Sequence, residues 1–558
     1  MSSFCARLAR TFVEAVPVLA LTVTAAQAQA APSDSAIRTI LRERVDSGSA
    51  PAIVVGILEK GHRRYVAYGS NGATRPPVDE HTLFEIGSIS KTFTGLLLAD
   101  AVMRSEVRLD QPVSELLGAG SKTPSRGGRE ITLEQLSTHR SGLPRMPNNI
   151  APANVADPFF GYDGKLLREF LSSYTLPRTP GDGAEYSNLG GGLLGYALAL
   201  HAKAPSWGAL VERRITTPLG MRETFVDVPS ALQNRVAIGH DERMDSVSAW
   251  HFDALAGAGA LHSTAADMLV YLAAQLDTTS GPLRHAVALG RTPRSEFAPG
   301  TRIALGWMIV GQPSQPIWWH NGATAGFRTF VAFDPARQLA VVVLANSANT
   351  VDDIGMHLLN PLTQLPKPIR PPRVAVTLPA AALDRFAGNY QLTPALLLTV
   401  ARFGDALFAR GTGQSAFPLT ATAANRFVYP AAGIEMVFDT SETGSVRQLT
   451  FRQGGGTIIV PALPPRVAVV TLSSVALDRL VGAYPLTPAL LLTITRDGDL
   501  LYGQATGQPR FPLTATAANR FVFPLLGIEI VFDTSETGSA RGLTFTQVGT
   551  TLTATRRP

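Results

Sequence analysis

The segment "FEIGSISKTFTG" (residues 84–95) places Ser88 and Lys91 three positions apart where a long apolar run begins. Side chains at i and i+3 share a helix face, so the amine can reach the hydroxyl. A serine near a helix amino end also meets unpaired N–H groups and the positive end of the helix dipole, which favour developing negative charge. Such a pair would be a nucleophile with its proton acceptor. Lysine titrates at about 10.4 in water, so it accepts a proton only where burial or neighbouring positive charge lowers that value. The alternative is an N-capping serine followed by a solvated lysine, and Ser-x-x-Lys alone does not decide between them.

Two further stretches carry chemistry-bearing side chains. "GAEYSNLGGGLLG" (183–195) sets Tyr186 and Asn188 two apart before a glycine-rich helix entry. In an extended segment those two side chains point the same way, into one cleft. "WWHNGATAGF" (318–327) puts His320 and Gly322 on one face of a strand and Trp319 and Asn321 on the other. A glycine there is expected to let a substrate lie against the strand backbone. Alone, each stretch reads equally as a core tyrosine, a capping asparagine or a hydrogen-bonded strand histidine. The sequence contains no G-x-S-x-G elbow, no H-E-x-x-H, no Cys/His cluster and no G-x-x-x-x-G-K-[ST]. That disfavours an α/β-hydrolase, a zinc site and a nucleotide site, and no metal or cofactor is expected. His139, His240, His251 and His262 are scattered and read as structural.

Together and in this order, the three motifs resemble the penicillin-binding serine hydrolases, in particular the class C β-lactamase-like group. Ser88-Ile89-Ser90-Lys91 matches that family's Ser-x-x-Lys, Tyr186-Ser187-Asn188 its Tyr-x-Asn, and His320-Asn321-Gly322 stands in place of its Lys-Thr-Gly. The resemblance runs from residue 42 to residue 348 and includes "LSTHRSGLP" (136–144), "TPLGMRET" (217–224), "AGAGALHSTAADM" (256–268) and "VVVLANS" (341–347). Within the group it is nearest the exported D-alanyl-D-alanine carboxypeptidase/endopeptidase branch. It implies acyl transfer: Ser88 attacks a carbonyl, and Lys91 with Tyr186 carries the proton to the leaving group. It further implies that Asn188 holds Lys91 and the substrate amide. His320 and Gly322 border the substrate, and the backbone N–H groups of Ser88 and Ala323 form the oxyanion hole. The implied substrates are D-alanyl peptides, β-lactams or esters, with peptidoglycan as a partner. Where class C β-lactamases carry lysine this chain has His320, largely neutral at pH 7, so its attraction for a substrate carboxylate is weaker. Relatives with histidine here include D,D-peptidases, D-aminopeptidases and esterases. Arg328 is a candidate compensating charge but reads more simply as a surface strand residue. A class C-like β-lactamase, a carboxylesterase and a D-aminopeptidase share the machinery. A penicillin-binding sensor or scaffold without turnover is the reading from another class.

The elements that must position these groups are legible around them. "SDSAIRTILRERV" has cap-type residues and then Ile37, Ile40, Leu41 and Val45 on one helical face. "AIVVGILE" and "RRYVAYGS" read as strands around Lys60-Gly61, and "IWWHNG", "FRTFVAF" and "LAVVVLAN" as three more far downstream. The run after Ser88 is apolar on most sides, a buried helix starting at about that serine. Strands from both ends enclosing a helical middle imply an α/β fold, an antiparallel sheet flanked by helices with a helical lobe, and the resemblance makes it β-lactamase/transpeptidase-like.

With 558 residues, 45% hydrophobic and 16% charged, the chain suits several folded domains. "LDRFAGNYQLTPALLLTV" (383–400) recurs as "LDRLVGAYPLTPALLLTI" (477–494), and "FPLTATAANRFV" stands at 417–428 and 511–522, an offset of 94 residues. Short strand-like runs between turns predict a small antiparallel barrel or sandwich per copy. These copies resemble the lipocalin-like barrels appended to D-aminopeptidases. The expected division is a signal peptide at 1–30, a hydrolase domain at 31–361 and a proline-rich linker at 362–373. A β-barrel repeat at 374–460, a second linker at 461–466 and a second repeat at 467–558 follow. Arg7 and Arg10, the apolar stretch Ala15–Ala26 and small residues at Ala28 and Ala30 predict a cleavable signal and a periplasmic or secreted protein; a retained anchor is the alternative. The only cysteine, Cys5, lies within that segment, leaving no thiol and no transmembrane segment in the mature chain. The net charge of +6 is spread without Lys/Arg runs, which argues against nucleic acid.

Overall fold

The computed structural model describes residues 30–557 apart from 73–74, 119, 148, 151–156, 158, 242–243, 367–375, 394–395, 404, 412–415, 430–433, 442–445, 454–455, 463–469, 471, 488–489, 507–509, 524–527, 536–537 and 548–549. The expected signal segment through Gln29, with Cys5, and most of both proline-rich linkers lie outside the described residues.

Helix α1 (Asp34–Asp46) is capped by Ser33 and buries Ile37 and Leu41. It leads into a hairpin of β1 (Ala52–Glu59) and β2 (His62–Gly69). Lys60 and Gly61 both have positive φ, as a tight two-residue hairpin turn requires. Helix α2 (Ser90–Met103) follows and is buried from Ser90 to Ala101, in keeping with its all-round apolar sequence. Helix α3 (Asn188–His201), helix α4 (Ala265–Leu276) and helix α5 (Arg284–Arg291) come next. Strands β3 (Ser295–Ala298), β4 (Thr301–Ile303) and β5 (Met308–Val310) precede the three expected downstream strands. Those are β6 (Ile317–Ala323), β7 (Arg328–Asp334) and β8 (Leu339–Ala345), and helix α6 (Asp352–Leu359) closes the unit.

All eight strands form one antiparallel sheet in the order β2-β1-β8-β7-β6-β5-β4-β3. The two ends of the unit therefore meet inside the sheet, one strand in from its edge, where Val55 pairs with Val343. Val55, Val341 and Val343 pack on one face against Ile37, Leu41, Ile354 and Leu358 of α1 and α6. Val54 and Val342 face the opposite way, into the core that holds Leu269 of α4 and Phe93 of α2. The site strand β6 lies between β7 and β5, with His320 opposite Val331 and Gly322 opposite Thr329.

Each C-terminal repeat is an eight-stranded antiparallel meander. The first spans residues 388–461 and the second residues 482–555. In each the first strand returns beside the last, so both are nearly closed barrels rather than sandwiches. The 94-residue offset carries the internal contacts with it. Tyr390 donates to the Phe386 carbonyl at 3.1 Å and Tyr484 to the Leu480 carbonyl at 2.7 Å. Arg402 pairs with Asp384 at 2.7 Å and Arg496 with Asp478 at 2.6 Å. Each barrel has its own apolar core, and Phe403 and Phe408 of the first pack against that of the second. Among the described residues, no helix is long and apolar enough to cross a membrane.

Candidate active site

Ser88 sits on a single 3₁₀ turn, Gly87–Ile89, and the α-helix proper begins at Ser90, two residues later than the sequence suggests. Gly87 has φ +51°, and a Cβ there would stand 2.6 Å from the Ala323 amide nitrogen. Glycine therefore lets the serine turn lie directly against the end of β6. Gly322 does the same one residue earlier: an added Cβ would overlap the Ile86 carbonyl oxygen and Thr329 Oγ1. Its missing side chain thus admits the backbone that carries the nucleophile. Thr329 Oγ1 donates to that Ile86 carbonyl at 3.0 Å. On the other side, Phe84 and Glu85 pair with Ser263 and His262, and Ser90 Oγ accepts from the Leu261 N–H at 3.1 Å. The serine turn is clamped from two directions.

Lys91 reaches this turn from the first turn of α2. Its Nζ lies 2.9 Å from Ser88 Oγ, 2.9 Å from Asn188 Oδ1 and 2.7 Å from the Ala258 carbonyl oxygen. Burial, reinforced by the charge of Arg145, holds its pKa well below the ordinary lysine value. When Lys91 is deprotonated, its amine has two N–H groups and one lone pair. The two carbonyl-type oxygens can only accept, so they take the N–H groups and the lone pair faces the Ser88 hydroxyl. The Tyr186 hydroxyl also bonds the Ser88 side chain, and burial raises its pKa, which keeps the phenol neutral. Ser187 caps α3 by accepting from the Gly190 N–H at 2.8 Å, which sets Tyr186 and Asn188 on either side of the cap.

His320 lies on the same side, its ring centre 6.4 Å from that of Tyr186. Its Nδ1 donates to the Asn321 carbonyl at 2.6 Å, and burial, then the nearby Lys91, push its pKa down to about 3. It is a neutral imidazole with a buried, unpartnered Nε2. Asn321 points to the opposite face, where its Nδ2 donates to Asp352 Oδ2 at 2.6 Å. Arg328 donates to the carbonyls of Thr324 and Phe327 at 3.0 and 3.1 Å, and so stays out of the site.

Two residues of the cluster escaped the sequence reading. His139, read as structural, lies with its ring centre 4.4 Å from that of Tyr186 and tilted by 37°, and its Nδ1 accepts from the Ser187 N–H at 3.2 Å. Burial lowers its pKa well below the usual imidazole value. Arg145 holds its guanidinium carbon 5.2 Å from the Tyr186 ring centre. His139 lies within the quoted stretch "LSTHRSGLP" and Arg145 directly follows it, the one signal that could have found them. Among the described residues, no group of three or more His, Cys, Asp or Glu side chains could hold a metal ion.

Residues 37–362, more than half of the chain, match the β-lactamase family model. The chain belongs to the β-lactamase family. It is a serine hydrolase. This β-lactamase-family enzyme is 29% identical to a β-lactamase of Escherichia coli (strain K12) over 340 residues, 54% of this chain and 85% of that protein. It is equally 29% identical, over 323 residues, to the D-alanyl-D-alanine-carboxypeptidase/endopeptidase AmpH of the same strain, covering 54% of this chain and 81% of AmpH. A solved β-lactamase/D-alanine carboxypeptidase from Pseudomonas syringae superposes with a TM-score of 0.52 at 22% identity. That match covers 60% of this chain and 100% of the other, and it bears on the fold. The family match ends where the linker and the two barrels begin.

Proposed function

We propose that this enzyme cleaves D-alanyl peptides of the D-Ala-D-Ala type through an ester on Ser88, and binds or slowly hydrolyses β-lactams at the same serine. The observation that carries the reading is the hydrogen-bond set of Lys91, which fixes its buried amine 2.9 Å from the Ser88 hydroxyl. Lys91 takes the hydroxyl proton as Ser88 Oγ attacks the substrate carbonyl. The oxyanion that forms is held by the N–H groups of Ser88 and Ala323, each such donor contributing about 3–4 kcal/mol in comparable enzymes. Tyr186 hands a proton to the leaving nitrogen, the C–N bond breaks, and the proton held by Lys91 replaces it on the phenol. Water then attacks the ester, giving its proton to the same pair and returning the serine hydroxyl. Asn188 fixes Lys91 and faces the substrate amide, while His320 and Gly322 border the acyl group.

The names of the relatives support both substrate classes, since one is a β-lactamase and the other a D-alanyl-D-alanine-carboxypeptidase/endopeptidase. The neutral His320 favours slow over fast β-lactam turnover, because it gives no cation to the lactam carboxylate. The same observation favours, as a second reading, esters or D-amino acid amides as substrates. Residues 1–30 are read as a cleavable signal that delivers the protein to the periplasm and its peptidoglycan. Residues 31–361 are the hydrolase, and the repeats at 374–460 and 467–558 are lipocalin-like modules that restrict substrate size or grip the wall. Release of free D-alanine from an N-acylated D-Ala-D-Ala peptide, lost in Ser88→Ala, is the expected result with purified protein. Turnover of a p-nitrophenyl ester or a D-amino acid anilide without any release of D-alanine would overturn the peptidase assignment in favour of the second reading.

A further inference from the structure

The mechanism leaves one charged side chain beside Tyr186 without a task. Arg145 is exposed, and its guanidinium stands over the face of the phenol that reaches Ser88. Its backbone is tied to the same motif: the Arg145 carbonyl accepts the N–H of Asn188 at 3.0 Å and of Leu189 at 3.2 Å. The cation is thus anchored at the mouth of the site by the helix start that carries Asn188.

Burial drives Lys91, His139, His320 and Tyr186 toward their neutral forms. Arg328, paired with Ala323 at the end of β6, is engaged by two backbone carbonyls. Among the described residues, no carboxylate pairs with Arg145; its one side-chain partner is the Tyr186 ring. A guanidinium presents a planar fork of donors that fits a carboxylate with two parallel bonds.

We propose that Arg145 is the anion-binding residue of this site, taking a carboxylate of the substrate and supplying the charge that a histidine at 320 withholds. The proposal rests on the Ser88 acyl-transfer reading and narrows its substrates to acyl donors with a free carboxylate, such as lactam acids and peptides ending in D-alanine. Their amides would be disfavoured.

The competing role is indirect: the guanidinium also lowers the proton affinity of Lys91 and Tyr186, and its removal would disturb the reaction with any substrate. A ratio separates the two. The rate of Ser88 acylation is followed by mass spectrometry in the full chain with a cephalosporin acid and with its carboxamide. Release of D-alanine from N-acetyl-D-alanyl-D-alanine, and of D-alaninamide from its carboxamide, gives a second pair. The expected result is a wild-type preference for the acid that falls about tenfold to a hundredfold in Arg145→Ala, the worth of a hydrogen bond to a charged group. Arg145→Lys, which keeps the charge without the fork, should retain part of the preference. Equal loss on acid and amide would overturn the proposal and leave Arg145 acting through Tyr186. A wild type indifferent to the carboxylate sinks the proposal alone. A wild type that acts on neither pair sinks the functional reading as well.

Discussion

At Lys91 the fold sets two demands against each other. The amine is placed within bonding distance of three oxygens, yet it is buried and faces the positive charge of Arg145. Both burial and that charge favour the neutral form, so the base is available well below the ordinary lysine range. Reaction through Ser88 should therefore rise with pH through the lowered Lys91 value. Removing the charge in Arg145→Ala removes one cause of the lowering, raises the pKa of Lys91, and moves the acid limb of kcat/KM to higher pH. A pH–rate profile of both proteins on one neutral ester measures this, and a limb that stays in place or moves to lower pH contradicts it. Ser88, Lys91, Tyr186 and Asn188 were readable because their motifs, taken together and in order, resemble a known family; helix and strand periods alone said only that each pair can share a face. Arg145 and His139 were not, because they come from irregular chain whose sequence carries no period. Only the tertiary fold brings both against one phenol ring.

Between elements, glycines decide how closely β6 approaches the serine turn. The two-residue strand period correctly paired Gly322 with His320 on one face, but it said nothing of what stands opposite. That turned out to be the Ile86 carbonyl, a piece of backbone that cannot swing aside as a side chain would. Gly322→Ala is therefore expected to cost about 1–3 kcal/mol of stability by overpacking, read from the denaturant midpoint. Acylation of Ser88 should slow in the same variant, because Ala323 is displaced from Gly87 along with the strand. An alanine variant with unchanged midpoint and rate would mean that the two segments are not held together as described. The helix start shows a related limit. Pattern located an apolar helix after Ser88, whereas the left-handed Gly87 inserts a 3₁₀ turn first. Strands β3, β4 and β5 went unread because three or four residues are too few to display alternation.

For the molecule as a whole, the 94-residue repeat was visible as near-identical text, and the eight-stranded meander in each copy explains it. Closure was not visible, since a barrel and a sandwich use the same alternating strands and differ only in whether the first meets the last. Each barrel buries its own core, with Phe386, Phe427 and Phe438 in one and Leu480, Phe521 and Phe532 in the other. Independent cores predict more than one thermal transition for the full chain in scanning calorimetry. A single transition with matching calorimetric and van't Hoff enthalpies would show instead that hydrolase and barrels melt as one body. The hydrolase sheet has the opposite character, because Val54 and Val55 pair with nearby Ala67 and Val66 on one side but on the other with distant Leu344 and Val343. During synthesis the ribosome delivers Ser88 and Lys91 early, but the central strand that closes the sheet over them leaves the tunnel much later. Long-range pairing of this kind makes folding slow and late. A nascent polypeptide thus carries its reactive serine in an unfinished setting, and hydrolysis can begin only after residue 345 has emerged.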